Sequence, residues 1–199
     1  MTSDALTSPR TDDPRVERTR AAVIEAASDL LVADGPSAIT HVNVAAAANV
    51  SRTTVYTHWP TQADLLRDTI ESLGKVPMRI DELTGVLRDD LDLLCAHLVS
   101  DLTDEQRAPM IVNMMERSLH DPTVAEVRNE FFHAFADVFR HVIQTAISDG
   151  EIRADIDLDR AIASLFGSLL FGRFMSPNHF DAEFADGVID DFVLLNAPR

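Results

Sequence analysis

The stretch Ile39–Leu66, ITHVNVAAAANVSRTTVYTHWPTQADLL, constrains this chain more than any other. Its small apolar residues and its punctuation fit two short helices that cross at a tight turn. Val44, Ala45 and Ala48 fall at i, i+1 and i+4 and therefore share one face of a short helix. Ala45 is small enough for a second helix to cross closely. The turn then needs a residue tolerant of positive φ, and Asn49 is the best replacement for glycine, because its short polar side chain bonds locally. Val50 is expected to plug the core under the turn, and Ser51 to cap the next helix through its hydroxyl. Val55 should face inward, and Pro60 stops that helix. Thr61, with Asp64 at the third following position, has the spacing of a capping box for a further one. The stretch reads as a helix-turn-helix leading into a connecting helix.

At this fixed spacing, Thr40, Val44-Ala45, Ala48-Asn49-Val50-Ser51, Thr54-Val55-Tyr56, His58-Trp59 and Leu65 resemble the signature of the TetR family of bacterial transcriptional regulators. Two positions depart from it. Asn49 stands where the family has a turn glycine, and Gln62 stands where it usually has a phosphate-contacting lysine. The resemblance implies an all-α protein with an N-terminal helix-turn-helix DNA-binding domain and a larger helical ligand-binding and dimerisation domain. It further implies a homodimer that binds a palindromic double-stranded DNA operator, most often as a repressor, and is released by a small-molecule ligand. Recognition would use Arg52–His58. Ser51 and Thr53 head that helix, where backbone amides can meet a phosphate. Arg52 is the candidate for a bidentate guanine contact, with a phosphate as its alternative partner. Thr40, Thr54, Thr57 and Gln62 complete the expected DNA face, with Tyr56 and His58 positioning the DNA backbone.

A net charge of −16 opposes nucleic-acid binding on its own, so its distribution matters. Residues 1–75 hold seven Lys/Arg against ten Asp/Glu, whereas residues 76–199 hold ten against 23. From Gly35 to Ala63 the only formal charge is Arg52, with His41 and His58 beside it. Acid is kept off the proposed DNA face. The single cysteine, Cys95, can form no intrachain disulfide, which suits a reducing compartment. The start, MTSDALTSPRTDDPR, lacks the apolar core of a secretory signal. The longest nearly uncharged apolar run, Ala161–Phe171, is shorter than the ~20 residues of a membrane span. A cytoplasmic protein with no membrane partner is expected.

Three segments follow: a disordered arm at 1–12, a DNA-binding domain at 13–74 and a ligand-binding and dimerisation domain at 75–199. Arg10, Arg15, Arg18 and Arg20 make the arm and first turn basic. They are either a solvated helix start or an arm reaching DNA phosphates or the minor groove. Asp13-Pro14 starts the first helix, whose apolar stripe runs to about Ala33. A connecting helix spans Gln62–Leu73, and Gly74 and Pro77 break it. Leu83, Leu87, Leu91, Leu94 and Leu98 recur at helical spacing through about Leu102, and Thr103 with Gln106 should cap the next element. Pro109 must kink that element or mark its start. Asp121-Pro122 opens a long helix closed by Asp149-Gly150.

Ala161–Met175 is apolar nearly all round, and Gly167 and Gly172 in its interior each cost roughly 1 kcal/mol against alanine. Close packing usually offsets such a cost. With the final helix, about Ala182–Leu195, it suggests a four-helix dimer interface carrying Gly167, Leu170, Phe184, Val188 and Phe192. The middle helices are rich in Met and Phe. They are ordinary core or a malleable apolar pocket, as TetR regulators possess, with Cys95, Met110, Met114, Phe135 and Phe166 as candidates.

No catalytic pattern is present: there is no Gly-rich phosphate loop, no Gly-x-Ser-x-Gly and no His-Glu-x-x-His. No enzyme activity, cofactor or metal is expected. Three alternatives remain open at this point: a metal sensor using His97, His120, His133 or His141, a redox sensor at Cys95, and a ligand-binding or interaction module with weakened DNA affinity. Glu130-x-x-His133 lacks the second such pair that di-iron chemistry needs.

Overall fold

The computed structural model describes residues 14–73, 80–176 and 180–198. Among these the regular structure is all helical: α1 (Pro14–Asp34), α2 (His41–Ala47), α3 (Arg52–His58), α4 (Gln62–Leu73), α5 (Leu87–Thr103), α6 (Arg107–Arg117), α7 (Pro122–Ser148), α8 (Leu158–Phe174) and α9 (Ala182–Asn196), with 3-10 turns at Pro36–Ala38 and Ile80–Glu82. The expected 1–12 arm and the break at Gly74–Pro77 lie outside the described residues.

Local chemistry sets the helix ends. Thr40 Oγ1 accepts from the Asn43 amide at the head of α2, and Ser51 Oγ accepts from the Thr54 amide at the head of α3. Between them Asn49 takes φ 54°, the left-handed conformation that the turn requires. Thr61 and Asp64 exchange amide and side-chain bonds at 3.1 Å each, a closed capping box on α4. Asp121, Asp157 and Asp181 cap α7, α8 and α9 by accepting first-turn amides, without a return bond to their own amides among those observed.

Three expectations are decided here, and those on Thr103 and Leu83 are corrected. Thr103 is the last residue of α5, and it is the Asp104 carboxylate that takes the amides of Gln106 and Arg107 at the head of α6. Pro109 sits in the first turn of α6, where a missing amide costs nothing, so there is no kink to explain. Leu83 precedes α5 rather than starting it. Buried Asp90 explains why, since it accepts from Thr84 and Gly85 and folds their loop over the helix start.

Two apolar clusters hold the molecule. Val23, Ala27 and Leu31 of α1 enclose Ile39, Val44, Ala45, Val55 and Trp59 with Leu65 and Leu66 of α4. Each such large side chain contributes about 1.5–3 kcal/mol on burial. This cluster does not stop at α4, because Met110 and Met114 of α6 and Val124 and Val127 of α7 belong to it. The second cluster joins α5, α7, α8 and α9 around Leu91, Leu94, Phe139, Ile143, Leu165 and Phe192.

Candidate functional site

The proposed DNA face is built on α3. Ser51, Arg52, Thr53, Tyr56 and Thr57 are exposed, while Thr40, Thr54, His58 and Gln62 are half-buried. Arg52 makes no ion pair among the described residues, so its full charge is available. The hydroxyls are partly committed: Thr54 Oγ1 meets Ser51 Oγ at 2.8 Å, and Thr57 donates to the Thr53 carbonyl at 2.8 Å.

His41 has a role that the sequence reading missed. Its buried ring donates from Nε2 to the Trp59 carbonyl at 2.7 Å and lies flat under Tyr56, with centroids 3.9 Å apart and planes within 9°. Trp59 is itself fixed, because its Nε1 donates to Asp68 at 2.8 Å. The Tyr56 hydroxyl is therefore presented from a stacked, anchored ring. A lone polar residue at an otherwise apolar helix position was the available signal.

Arg20 is not a free DNA arm. It pairs with Asp68 at 2.5 Å and covers the Trp59 ring at 5.7 Å, which ties α1 to α4. Arg18 donates back to the Pro14 carbonyl. Arg10 lies outside the described residues.

The middle helices enclose a cavity of about 390 Å³. Met110, Met114 and Met115 line it from α6, Phe131, Phe132 and Phe135 from α7, and Phe166 and Leu170 from α8. Phe135 and Phe166 meet edge to face at 4.3 Å. Helix α4 contributes Ile70 and Glu71, so the connecting helix is itself part of the wall. Asp101, Arg107 and Arg128 are the other charged lining residues. Arg107 pairs with Asp101 at 2.9 Å, and burial nevertheless pushes the Asp101 carboxyl above its ordinary range.

Four of the five pocket candidates, Met110, Met114, Phe135 and Phe166, come together on this cavity. The fifth, Cys95, does not. It is fully buried in the second cluster, and desolvation pushes its thiol up to about 12, which leaves it protonated and inert. Two interface candidates also move: Leu170 faces the cavity and Phe192 is buried in the chain's own core. Gly167, Phe184 and Val188 do share an outer groove between α8 and α9, with exposed Phe171 beside them. A Cβ on Gly172 would stand 2.5 Å from the Phe184 ring, so that glycine permits α8–α9 packing inside the chain. A Cβ on Gly167 would meet nothing within 4 Å.

Among the described residues no group of three or more His, Cys, Asp or Glu is placed to hold a metal ion. Glu130 is instead bonded by Arg67, and His133 lies edge-on to Phe132. No described helix is long and apolar enough to cross a membrane.

Fold and site together define a helix-turn-helix protein whose second helical unit carries an apolar cavity. Residues 23–69 match the description "Bacterial regulatory proteins, tetR family", and residues 81–192 match "Tetracyclin repressor-like, C-terminal domain". The chain belongs to the TetR family, a family of DNA-binding transcriptional regulators. It is 25% identical over 181 residues to the helix-turn-helix transcriptional regulator YdeS of Bacillus subtilis (strain 168), covering 91% of this chain and 89% of that one. It is 27% identical over 187 residues to the DNA-binding transcriptional repressor TetR of Mycobacteroides abscessus, covering 91% and 95%. Its fold is similar to the crystal structure of NalD, the secondary repressor of the MexAB-OprM multidrug efflux pump in Pseudomonas aeruginosa. That match has a TM-score of 0.69 at 23% identity and covers 93% of this chain and 98% of NalD.

Proposed function

We propose that this regulator is a homodimeric repressor which leaves a palindromic operator when a small, mainly apolar molecule fills the cavity. The observation that carries the reading is the double role of α4. One end of that helix follows the recognition helix, and the other contributes Ile70 and Glu71 to the cavity wall. A molecule among the Met and Phe side chains therefore touches the element that sets the tilt of α3. Two recognition helices of a dimer must match half-sites roughly 34–36 Å apart, or a multiple of that, so a modest tilt spoils the fit. The outer groove of α8 and α9 suits the dimer contact, since Phe171, Met175, Leu194 and Leu195 are exposed there or nearby. In this proposal the chain divides near residue 74, with Arg52 at bases and the amides heading α3, Tyr56 and Gln62 at phosphates.

Selection of bound duplexes from a random pool tests it directly. A palindrome should emerge, and a compound that raises the thermal unfolding temperature should release the protein from it. A non-palindromic consensus, or an operator complex indifferent to every stabilising compound, would refute the reading.

A further inference from the structure

We propose that the cavity selects an amphipathic carboxylate, an apolar body carrying one anionic head held by Arg128; this rests on reading the cavity as a ligand site. Arg128 is half-buried on the cavity wall, and no carboxylate pairs with it among the described residues. Its two observed partners are neutral. One terminal nitrogen donates to Ser118 Oγ at 2.8 Å and the other to Asn129 Oδ1 at 2.7 Å. Ser118 is itself buried and donates to the Met115 carbonyl at 2.8 Å, so the guanidinium is held in place rather than free to swing out. A partly desolvated cation with only neutral acceptors is unfavourable unless an anion joins it. A guanidinium retains donors beyond the two in use, in a planar fork that fits a carboxylate.

The other charges argue against a cationic ligand. Asp101, the part-buried acid of the wall, is already taken by Arg107, which also reaches Asp104 at 3.4 Å. Glu71 is exposed and can stay hydrated. The Phe135, Phe139 and Phe166 rings face one another, with centroids 4.3–5.1 Å apart, rather than framing a cation. One lone arginine also suits a single negative charge. A phosphate dianion would bring a second charge with no partner. The body of the ligand would lie along Phe131, Phe135, Phe166, Met110 and Met114, which are all on the cavity wall.

Three probes with one tail and different heads test this: decanoate, decanol and decyltrimethylammonium, all below micelle-forming concentration. Each is titrated against the full chain by displacement of a neutral fluorescent naphthylamine. Decanoate should bind about 10- to 100-fold more tightly than decanol, as one charge-assisted hydrogen-bonded contact contributes. Arg128→Gln should abolish that preference while decanol affinity stays within about twofold, which also reports that the variant is folded. Arg128→Lys should keep part of the preference. Equal affinity for decanoate and decanol, a tightest fit for the ammonium, or a decanoate preference that survives Arg128→Gln would each overturn the head-group assignment while leaving the cavity reading intact. If none of the three binds, the cavity reading itself fails, and this proposal with it.

Discussion

On the proposed DNA face the deciding residues are few, because Arg52 is the only formal charge between Gly35 and Ala63. If Arg52 reads a guanine, Arg52→Ala should cost about 1–3 kcal/mol and relax specificity at one position of each half-site. A quantitative binding series over single-base operator variants checks this. A loss equal for every sequence would move Arg52 to a phosphate. Gln62→Lys should tighten binding to all duplexes and steepen the logarithmic salt slope by up to about one unit, since that slope scales as −0.9 per phosphate neutralised. An unchanged slope would show that position 62 does not face the backbone. Asn49 and Ser51 are legible in the sequence because their task is local: one tolerates positive φ, the other caps three residues ahead. Arg128 is not legible, because its interest lies in lacking a carboxylate partner, and tertiary packing alone decides that.

Helix α7 carries residues of both clusters, and α4, which belongs to the first, is tied to it on its polar side as well. Arg67 bonds Glu130 of α7 through two nitrogens, at 2.6 and 2.9 Å, and Asp64 of its own helix at 2.9 Å. Hydrogen bonds from Arg67 hold the Glu130 carboxyl below its ordinary range, and bonds from Thr61 and then Arg67 do the same for Asp64. A carboxyl depressed in the folded state contributes stability that is present above its unfolded value. That stability is lost as pH falls through the folded one. The contribution should therefore be full at neutral pH and disappear below about pH 4. Both carboxylates are more than a third exposed, so solvent screening limits the pair to about 0.2–1 kcal/mol. Urea unfolding should show Glu130→Gln less stable than the parent by that amount at neutral pH, with the gap closing in acid. A gap that persists at pH 3 would assign the loss to packing. The capping box of α4 is readable from Thr61 and Asp64 at their spacing, but Arg67–Glu130 joins residues 63 apart in sequence and no local pattern announces it. The displaced Thr103 cap is different, a competition between neighbours. Asp104, one residue on, offers a carboxylate to the same amides and takes the cap.

For the whole molecule, the two interior glycines of α8 separate dimerisation from folding. Gly172→Leu would collide with the Phe184 ring and should destabilise each chain, whereas the Cβ of Gly167→Leu meets nothing within 4 Å in its own chain. Light scattering at micromolar concentration should give about twice 22.0 kDa for the parent and a shift toward monomer for Gly167→Leu. A monomeric parent would remove the dimer from the proposed function. The same geometry decides how a ligand signal crosses the molecule. The covalent link near Gly74–Pro77 is the obvious route, yet α4 also lies against α7 through Arg67–Glu130 and walls the cavity at Ile70 and Glu71. In the proposed mechanism, those contacts carry a tilt of α4 without the help of the covalent link. Lengthening the link by two glycines after Gly74 should therefore leave both affinities and their coupling unchanged. Glu130→Gln should instead reduce the coupling by up to about fivefold, the equivalent of 1 kcal/mol. Operator affinity measured with and without a saturating ligand gives the coupling, about 1–3 kcal/mol for allosteric pairs in general, and ligand affinity measured with and without operator must return the same factor. Coupling that collapses on insertion but survives Glu130→Gln would place the signal in the covalent link. The reverse pattern would place it in the α4–α7 contact, where the cavity, the ion pair and the recognition helix meet on one element.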